Sequence, residues 1–398
     1  MSRLHTALLS LDYASRASYY DDWRDAFIDH EAFDLRCFNI FAARDRSAFR
    51  KKLKDFDLIV VLHSCTADSL TFAGEVSAAL GERRGVLVAF VGNEYNLPWV
   101  GMADKIGWLK KIHPDIIATQ LLPEAGEWLY ADIATRVLSL PHALNPAAFR
   151  PGPDPGARPL DIGVRCYRYP AFLGDDARNR AIDFFRRPEV SARLAVDIDT
   201  EERFPRPAWA EFLARCKATV SSEAGSWYLE RDDATVLKVR EFAVAGRRGI
   251  VLRSDGLPAR LARHLPYPVR DRLKKALASG PVRHEALALD HLDFAEIHRR
   301  FFAGQPRAPV YSKCISSRHF DAVGTKTLQI MPEGRFNDIL ERDVHYVAVD
   351  PEGANFDSIA RLLADPGAIS EIVDRAYDSV LAAHTYRHRL AALLQAIG

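Results

Sequence analysis

Short apolar runs alternate with amphipathic stretches along the first 145 residues of the chain. Six runs have the length and composition of buried strands: residues 5–11, 33–40, 57–64, 85–92, 115–119 and 136–141. Several are apolar nearly throughout, as in parallel strands that are covered on both faces. Helical patterns lie between them, for example at residues 67–80 and 103–112. This alternation predicts βαβ units and a doubly wound parallel sheet over residues 1–145.

A proline-rich stretch separates this part of the chain from a second alternating pattern. Residues 146–159 are polar and aperiodic, as expected for an interdomain linker. Apolar runs return at residues 160–166, 192–198, 216–222, 249–254, 328–331 and 345–349. We therefore predict an α/β protein with a second Rossmann-like domain over residues 160–383 and a helix-rich insertion at about 245–300. Residues 384–398 are predicted to form a C-terminal helix that packs back on the first domain.

The composition is that of an ordinary globular protein and excludes several function classes. Because 54 basic residues balance 53 acidic ones, no overall field draws the chain to nucleic acid. The five cysteines are scattered and never spaced C-x-x-C, which disfavours a disulfide framework or a zinc site. No apolar stretch approaches the roughly 20 residues of a spanning helix. The N-terminus is typical of a first buried strand rather than of a signal peptide, so we expect a cytoplasmic protein.

One local exception to the balanced charge is the basic stretch at residues 266–284. It is typical of a solvated helix face, or of a patch that meets the anionic inner face of a membrane.

The first candidate binding segment follows the first predicted strand of the second domain. Ligands of open α/β sheets bind beyond the carboxyl ends of the strands. Arg165 and Arg168 lie in that position, and a guanidinium grips a diphosphate with a fork of N–H donors. The alternative interpretation is a pair of surface arginines on a loop.

The second candidate segment is the turn after the run at residues 216–222. It contains Ser222, Glu223, Gly225 and Ser226. Small residues with a glycine let backbone N–H groups approach an anion, and Glu223 can accept hydrogen bonds from sugar hydroxyls. The alternative is an ordinary strand-to-helix junction, since such junctions are rich in serine and glycine.

The third candidate segment, residues 315–349, is predicted to form a short helix, a strand, a Pro-Glu-Gly turn, another helix and a final strand. Arg318 and Asp321 are three residues apart and share one helix face. If that face meets a cleft, Arg318 can hold a phosphate while Asp321 accepts from ribose hydroxyls, as carboxylates do in dinucleotide sites. The alternative is an ion pair on a solvated face, which contributes little to stability.

Two motifs in this region carry a family resemblance: Arg318-His319-Phe320-Asp321-Ala322 and His384-Thr385-Tyr386-Arg387-His388-Arg389. They resemble the Arg-x-Phe-Glu-Ala helix and the His-Thr-Tyr-x-His-Arg tail of GT-B glycosyltransferases similar to the spore-maturation and family-four groups. The similarity covers the linker and the second domain, and the first domain matches only in pattern. Asp321 stands where the family has glutamate. Lys313, eight residues earlier, stands where related retaining enzymes have an acid, which weakens the transfer of a retaining mechanism and leaves the stereochemical outcome open.

The resemblance implies two Rossmann-like domains that face each other across a cleft. The second would bind a nucleotide sugar such as a UDP- or GDP-sugar, and the first would bind the acceptor. Cationic side chains and helix N-termini, with no metal or other cofactor, would neutralise the departing diphosphate. The expected donor-binding residues are Arg165, Arg168, Ser222, Glu223, Gly225, Ser226, Arg318, Phe320, Asp321, Thr325, Lys326 and Gly334.

Three residues are candidates for catalysis. A general base is expected from the first domain, where Glu94 and His142 follow predicted strands. Tyr95 and Trp99 make the surroundings of Glu94 suitable for a sugar ring. Glu333, in the Pro-Glu-Gly turn, is placed to read a donor-sugar hydroxyl. The alternatives are a structural histidine at a strand end and carboxylates that cap or pack.

The expected function is therefore metal-independent glycosyl transfer from a nucleotide sugar to a glycan, a lipid-linked sugar or a small molecule, as in polysaccharide biosynthesis. One rival is a sugar-nucleotide 2-epimerase of the same fold, which needs two carboxylates beside the sugar C2. The other is a non-catalytic sugar-nucleotide-binding partner protein, which the departures at Asp321 and Lys313 favour.

Overall fold

The computed structural model describes residues 3–12, 18–245, 250–252, 282–284, 292–350 and 352–398, with single positions at 261, 265, 269, 272 and 289. The insertion expected at about 245–300 lies largely outside these residues. Two parallel sheets, each covered by helices, organise the described chain. We call the part built on the sheet of residues 4–139 the first domain and the part built on the sheet of residues 160–348 the second domain.

Within the described residues, the sheet of the first domain has six parallel strands. They are β1 Leu4–Ser10, β2 Phe33–Asn39, β3 Leu58–Val61, β4 Val86–Phe90, β5 Ile116–Thr119 and β6 Arg136–Ser139. Their spatial order is β2-β1-β3-β4-β5-β6. The chain therefore winds outward in both directions from β1, which puts a topological switch point between β1 and β3.

Helices cover both faces of this sheet. They are α1 Ser18–Ile28, α2 Ala43–Lys52, α3 Thr71–Gly81, α4 Met102–Ile112 and α5 Pro123–Tyr130. Leu9 and Val61 pack in the core under α2 to α5, whereas Leu8 and Val60 pack in the core under α1. Because successive residues of one strand enter different cores, these strands are apolar throughout.

The sheet of the second domain repeats this winding. Its five described strands are β7 Leu160–Arg165, β8 Val196–Asp199, β9 Cys216–Val220, β14 Leu328–Met331 and β15 Val347–Ala348. The order β8-β7-β9-β14-β15 places the switch point between β7 and β9. The prediction of two Rossmann-like parallel sheets is confirmed.

Four short strands lie outside the two main sheets. Strand β10 Ala224–Gly225 pairs antiparallel with β13 Lys313–Cys314. Strand β11 Ile250–Leu252 pairs with β12 Val282–His284. The run predicted at residues 249–254 therefore forms this separate pair and does not extend the main sheet.

Helices also surround the second sheet. They are α6 Ala177–Phe185, α7 Pro188–Ser191, α8 Arg206–Ala214, α9 Ala234–Ala245, α10 Phe294–Ile297, α11 Ser317–Gly324, α12 Phe356–Leu363 and α13 Pro366–Ala383. The last helix, α14 Tyr386–Ile397, packs on the first domain instead. The helix predicted after the Pro-Glu-Gly turn is only a 3-10 turn, Phe336–Asp338, whose three residues all have positive φ. Across the described ranges, no helix is long and apolar enough to cross a membrane.

The chain crosses between the domains at two neighbouring points. The N–H of Leu144 donates to the carbonyl of His384, and the N–H of Tyr386 donates back to the carbonyl of Leu144. After the second crossing, α14 packs beside α1, with Leu390 and Leu393 in the core of the first domain. The last helix of the chain therefore completes the first domain.

The carboxyl edges of the two sheets face each other. Asn337, which follows β14, donates through Nδ2 to the carbonyl of Gln120, which follows β5, at 3.0 Å. On another side, Arg206 at the start of α8 binds Asp22 of α1 at 2.8 Å. The edges at which doubly wound sheets bind ligands thus border a common cleft.

We predict that Leu390→Ala destabilises the first domain by about 2–5 kcal/mol, because the side chain is fully buried and its removal leaves a cavity. Urea unfolding, with hydrogen exchange of α1 and β1, measures the effect. Leu381→Ala on α13, which is 38% exposed, is the matched control and changes stability by less than about 0.5 kcal/mol. Equal effects of the two variants would contradict the packing described above.

Candidate active site

A pocket opens at the switch point of the second sheet, between the carboxyl ends of β7 and β9. The strand ends contribute Val164, Arg165, Cys166, Thr219, Val220 and Ser221. The remaining walls are Arg178 from α6, Trp209 from α8 and Arg318 from α11. Since doubly wound sheets bind their ligands at such switch points, this pocket is the candidate active site.

Arg178 is a buried cation at one wall of the pocket, with 8% of its surface exposed. Its Nε donates to Ser222 Oγ and its Nη2 donates to the carbonyl of Ser222, both at 3.1 Å. The guanidinium also stacks on Tyr169, 3.9 Å from the ring centroid. These contacts fix its orientation without neutralising it, because Arg178 forms no ion pair with any residue that the structure describes.

Arg318 is the second cation, in the first turn of α11. It donates to the carbonyl of Arg165 and lies over the indole of Trp209, 5.4 Å from the ring centroid. Burial, followed by the positive charge of Arg203, lowers the pKa of Arg318 to about 10. Asp321 acts on it only from beyond ion-pair distance. Arg318 therefore also lacks an ion-pair partner in the described part of the chain.

Two further features of the pocket suit an anionic ligand. The Oγ of Ser221 is buried and has no hydrogen-bond partner among the described residues. Helix α11 begins at this wall, so the positive end of its dipole lies near the two guanidinium groups. An anion with several oxygen atoms would satisfy both features and offset the two positive charges.

The two arginines expected from the strand end, Arg165 and Arg168, are both neutralised by aspartates. Arg165 lines the pocket but binds both carboxylate oxygens of Asp197, at 2.7 and 2.8 Å. Arg168 is exposed, binds the carboxylate of Asp183 and does not line the pocket. Neither guanidinium is therefore placed like those of Arg178 and Arg318.

Asp321 and Phe320 lie behind the pocket wall. The Oδ2 of Asp321 accepts from the indole N–H of Trp209 at 3.0 Å, and only 2% of the residue is exposed. Asp321 thus holds a wall residue and is not among the residues that line the pocket, so the expected ribose contact stays a prediction. Phe320 is fully buried in a core cluster with Phe212.

Thr325 and Lys326 are also away from the pocket. Thr325 lies at the end of α11, where its hydroxyl bonds Thr327 and its carbonyl accepts from the buried Arg158. Lys326 forms an ion pair with Asp374 of α13 at 2.6 Å. Both residues therefore join elements of the second domain, and neither lines the pocket.

Glu223 is a buried carboxylate with partners of its own. It accepts hydrogen bonds from the hydroxyl of Tyr311 and from the N–H of Phe336, the latter at 2.7 Å. Burial raises its pKa. A Cβ on Gly334 would lie 2.4 Å from its Oε2, so the close approach of the Pro-Glu-Gly turn requires a glycine there. Glu223 and Gly334 thus lock this turn to the sheet.

The rest of the serine-rich turn forms a layer that supports Arg178. Ser222 accepts from Arg178, as described above. Gly225 has φ of 100° and pairs with Lys313, and Ser226 donates to the carbonyl of Leu173 at 2.6 Å. None of these three residues lines the pocket, and the turn meets it only through the contact of Ser222 with Arg178.

The two catalytic candidates of the first domain are buried within that domain. Glu94 accepts from the Thr119 hydroxyl, the Gln120 N–H and the Tyr130 hydroxyl at 2.6, 2.7 and 2.8 Å, and burial raises its pKa to about 6. His142 accepts from the indole N–H of Trp23 at 3.1 Å. Burial lowers its pKa to about 3, so the ring stays neutral. These contacts give both side chains a structural role.

Glu333 lies on the surface of the second domain. It is exposed and forms an ion pair with Arg342 at 3.1 Å. It does not line the pocket.

On the side of the cleft that belongs to the first domain, Tyr95, which the sequence already suggested as a neighbour for a sugar ring, is joined by Tyr19 and Asp68. Burial raises the pKa of Tyr19 to about 12, and the charges of Asp68, Arg203 and Arg318 act on its hydroxyl from both domains. Burial also raises the pKa of Tyr95, with Asp68 among the contributing groups. Asp68 itself is exposed and follows the end of β3. Tyr19 and Tyr95 of the first domain are thus close enough to charged groups of the second domain for those charges to act on their hydroxyls.

Of the residues that line the pocket, only Arg165 and Arg318 were candidates from the sequence; Arg178, Trp209 and Ser221 are among those that were missed. Arg178 lies within the helical pattern after residue 176 and looks like any solvated position of an amphipathic helix. The only feature of the sequence that could have indicated Arg178 as a pocket residue is its place in the first helix after the first strand of a Rossmann-like domain.

Comparison with known proteins gives a family for the C-terminal part of the chain. Residues 287–395 match the family model described as glycosyl transferase-like. This segment includes α11 with Arg318 and continues through most of α14. No curated protein matches the sequence.

Several solved structures are similar over nearly the whole chain. HepE of Anabaena in complex with UDP and glucose shares 8% identity over 99% of this chain and all of that chain, with a TM-score of 0.49. AviGT4, a glycosyltransferase involved in avilamycin A biosynthesis, shares 11% identity over 99% of this chain and 97% of that chain, with a TM-score of 0.43. The C-terminal segment thus matches a glycosyl transferase-like family, and the chain has the two Rossmann-like parallel sheets expected of the GT-B fold.

Proposed function

We propose that the protein transfers a glycosyl group from a UDP- or GDP-linked sugar to a hydroxyl group of a glycan, a lipid-linked sugar or a small molecule. The observation that carries this proposal is the pair of guanidinium groups of Arg178 and Arg318. Both are held at the switch point of the second sheet without an ion-pair partner among the described residues. A cation removed from water without a counterion is costly, so the pocket is suited to a ligand that supplies negative charge.

A nucleoside diphosphate matches the pocket in charge and in shape. Guanidinium forks bind phosphate oxygens bidentately, and Ser221 Oγ adds a hydrogen-bonding group. During transfer, the bond between the anomeric carbon and the phosphate oxygen breaks, and its electron pair leaves with the diphosphate. Arg178, Arg318 and the N-terminus of α11 stabilise the charge that develops there. In this proposal, these groups do the work that a divalent cation does in other transferases.

The acceptor binds on the opposite wall of the cleft, which Tyr19, Tyr95 and Asp68 form. Tyrosine rings offer an apolar face to a sugar ring and a polar edge to its hydroxyls. The carboxylate of Asp68 is the charged group of that wall that can accept a hydrogen bond from an acceptor hydroxyl. The donor and the acceptor would then meet between the two carboxyl edges.

We predict that one class of nucleotide sugar raises the thermal unfolding midpoint, in a panel of UDP-, GDP-, TDP-, ADP- and CMP-linked sugars. A ligand at a hundred times its Kd adds about 2.7 kcal/mol of stability. The shift should appear with EDTA present and disappear in Arg178→Met and Arg318→Met, because each variant removes one phosphate-binding fork. A shift that requires a divalent cation would contradict metal-independent binding.

Arg168→Met is the matched control for these variants. It removes an arginine from the same region, but one that is exposed and already paired with Asp183. The control should keep the full shift. Loss of the shift in Arg168→Met, with no loss in Arg318→Met, would place the diphosphate outside this pocket.

A second prediction concerns the protein without ligand. Arg318→Met should leave the thermal midpoint unchanged or raise it, with a gain in the free energy of unfolding of up to about 1 kcal/mol. The substitution replaces an unpaired and partly buried charge by an apolar chain of similar length. Differential scanning calorimetry without nucleotide makes the measurement. A destabilisation of more than about 2 kcal/mol would show that Arg318 supports the fold and not a ligand.

A further inference from the structure

A residue of the second domain, Asp233, is bound almost entirely by the first domain. It immediately precedes α9, is 3% exposed and has φ of 61°, a left-handed conformation that only aspartate, asparagine and glycine adopt at modest cost. Such a conformation persists only where surrounding contacts fix it. Here those contacts come from across the cleft.

The carboxylate of Asp233 caps helix α4 of the first domain. Its Oδ1 accepts from the N–H of Met102 at 3.0 Å, and its Oδ2 accepts from the N–H of Ala103 at 2.8 Å. These N–H groups have no partner within α4, since they lie in its first turn. The residue at the N-cap position itself, Gly101, has no side chain to serve them, and a Cβ there would lie 2.0 Å from Asp233 Oδ2.

Asn96 strengthens the same junction from the side of the first domain. Its Nδ2 donates to Asp233 Oδ1 at 2.6 Å and to the carbonyl of Glu230 at 2.8 Å. Its Oδ1 accepts from the N–H of Glu230 at 2.9 Å. Next to it, Leu229 is 2% exposed and packs in the core of the first domain. The junction is therefore a specific, desolvated contact between the domains.

Helix α4 in turn holds the loop that borders the acceptor wall. The ammonium group of Lys105, which is fully buried, donates to the carbonyls of Gly92 and Asn93, the former at 2.8 Å. Asn93 then donates to the carboxylate of Asp68 at 3.2 Å, and Tyr95 follows two residues later. A continuous chain of contacts thus runs from Asp233 through α4 to the groups that face the arginine pocket.

We infer that Asp233 is a positioning residue for glycosyl transfer: by capping α4 across the cleft, it sets the position of the acceptor wall relative to the donor pocket. The inference rests on the proposed function but concerns a different step. Asp233 touches neither substrate. Its loss leaves Arg178 and Arg318 in place, so the nucleotide still binds, whereas the acceptor wall loses its alignment with the anomeric carbon. Misplacement by about 1 Å costs up to roughly 100-fold in rate.

The test compares Asp233→Ala with wild type in two measurements. Calorimetric titration with UDP and GDP gives the Kd of the second domain for a nucleotide. Turnover of the matching nucleotide sugar, by hydrolysis or by transfer to an added acceptor, gives kcat. We expect the nucleotide Kd to stay within about threefold and kcat to fall by about tenfold or more. Wild-type turnover in Asp233→Ala, or a nucleotide Kd that weakens in parallel with kcat, would overturn the inference.

Two further variants keep the test decisive. Asp232→Ala removes the same charge from the neighbouring, exposed residue and should behave like wild type. Asn96→Ala breaks the junction from the first domain and serves if Asp233→Ala does not fold. The double variant Asp233→Ala with Asn96→Ala should have a kcat no lower than that of the slower single variant, because both substitutions break the same junction. Additive losses of kcat in the double variant would overturn the assignment. If wild type binds neither UDP nor GDP, the proposed function fails instead.

Discussion

Two positive charges, those of Arg178 and Arg318, are held partly or fully out of water where a doubly wound sheet changes direction. Neighbouring dipoles and aromatic rings orient both groups, and no described carboxylate neutralises either. Arg165, only a few residues from this point, shows the contrast, because Asp197 binds it bidentately. In this region a carboxylate thus neutralises Arg165, whereas no described carboxylate neutralises Arg178 or Arg318. Two buried or partly buried positive charges without a counterion destabilise the folded protein, and an anionic ligand that binds between them would remove that cost.

The second constraint is the orientation of the two sheets. Both wind in the same order, and both turn their carboxyl edges to one cleft. Contacts hold that cleft on several sides: Arg206 with Asp22, Asn337 with Gln120, and Asp233 with α4. The chain also returns to the first domain through α14. In the proposed function, the backbone arrangement would bring together a donor bound to one edge and an acceptor bound to the other, and side chains would adjust the fit.

The sequence predicted the fold because the fold is determined by patterns that are local. Leu8 and Leu9 show that the first strand has two buried faces, and that is enough to indicate a parallel sheet covered on both sides. The binding residues depend on contacts between distant segments. The position of Glu94 after a strand predicts a candidate base, whereas its three donors, from Thr119, Gln120 and Tyr130, come from segments that the local pattern does not connect with it.

The same limit applied to Arg318 and Asp321, whose spacing places them on one helix face. Trp209, more than a hundred residues earlier, separates their roles: its ring lies under Arg318, and its N–H binds Asp321. The family motif marked a helix that borders the pocket, but it could not show which of its residues lines that pocket. Asp233 had no local signal at all, because the helix that it caps belongs to the other domain.

The most direct measurement of the central claim is a crystal structure of the protein with the nucleoside diphosphate of the donor that binds. The account predicts that the two phosphates lie at the carboxyl ends of β7 and β9, with oxygen atoms within hydrogen-bond distance of the guanidinium groups of Arg178 and Arg318. Phosphates bound instead beside Arg168 or Lys326, or in the first domain, with Arg178 and Arg318 untouched, would contradict it.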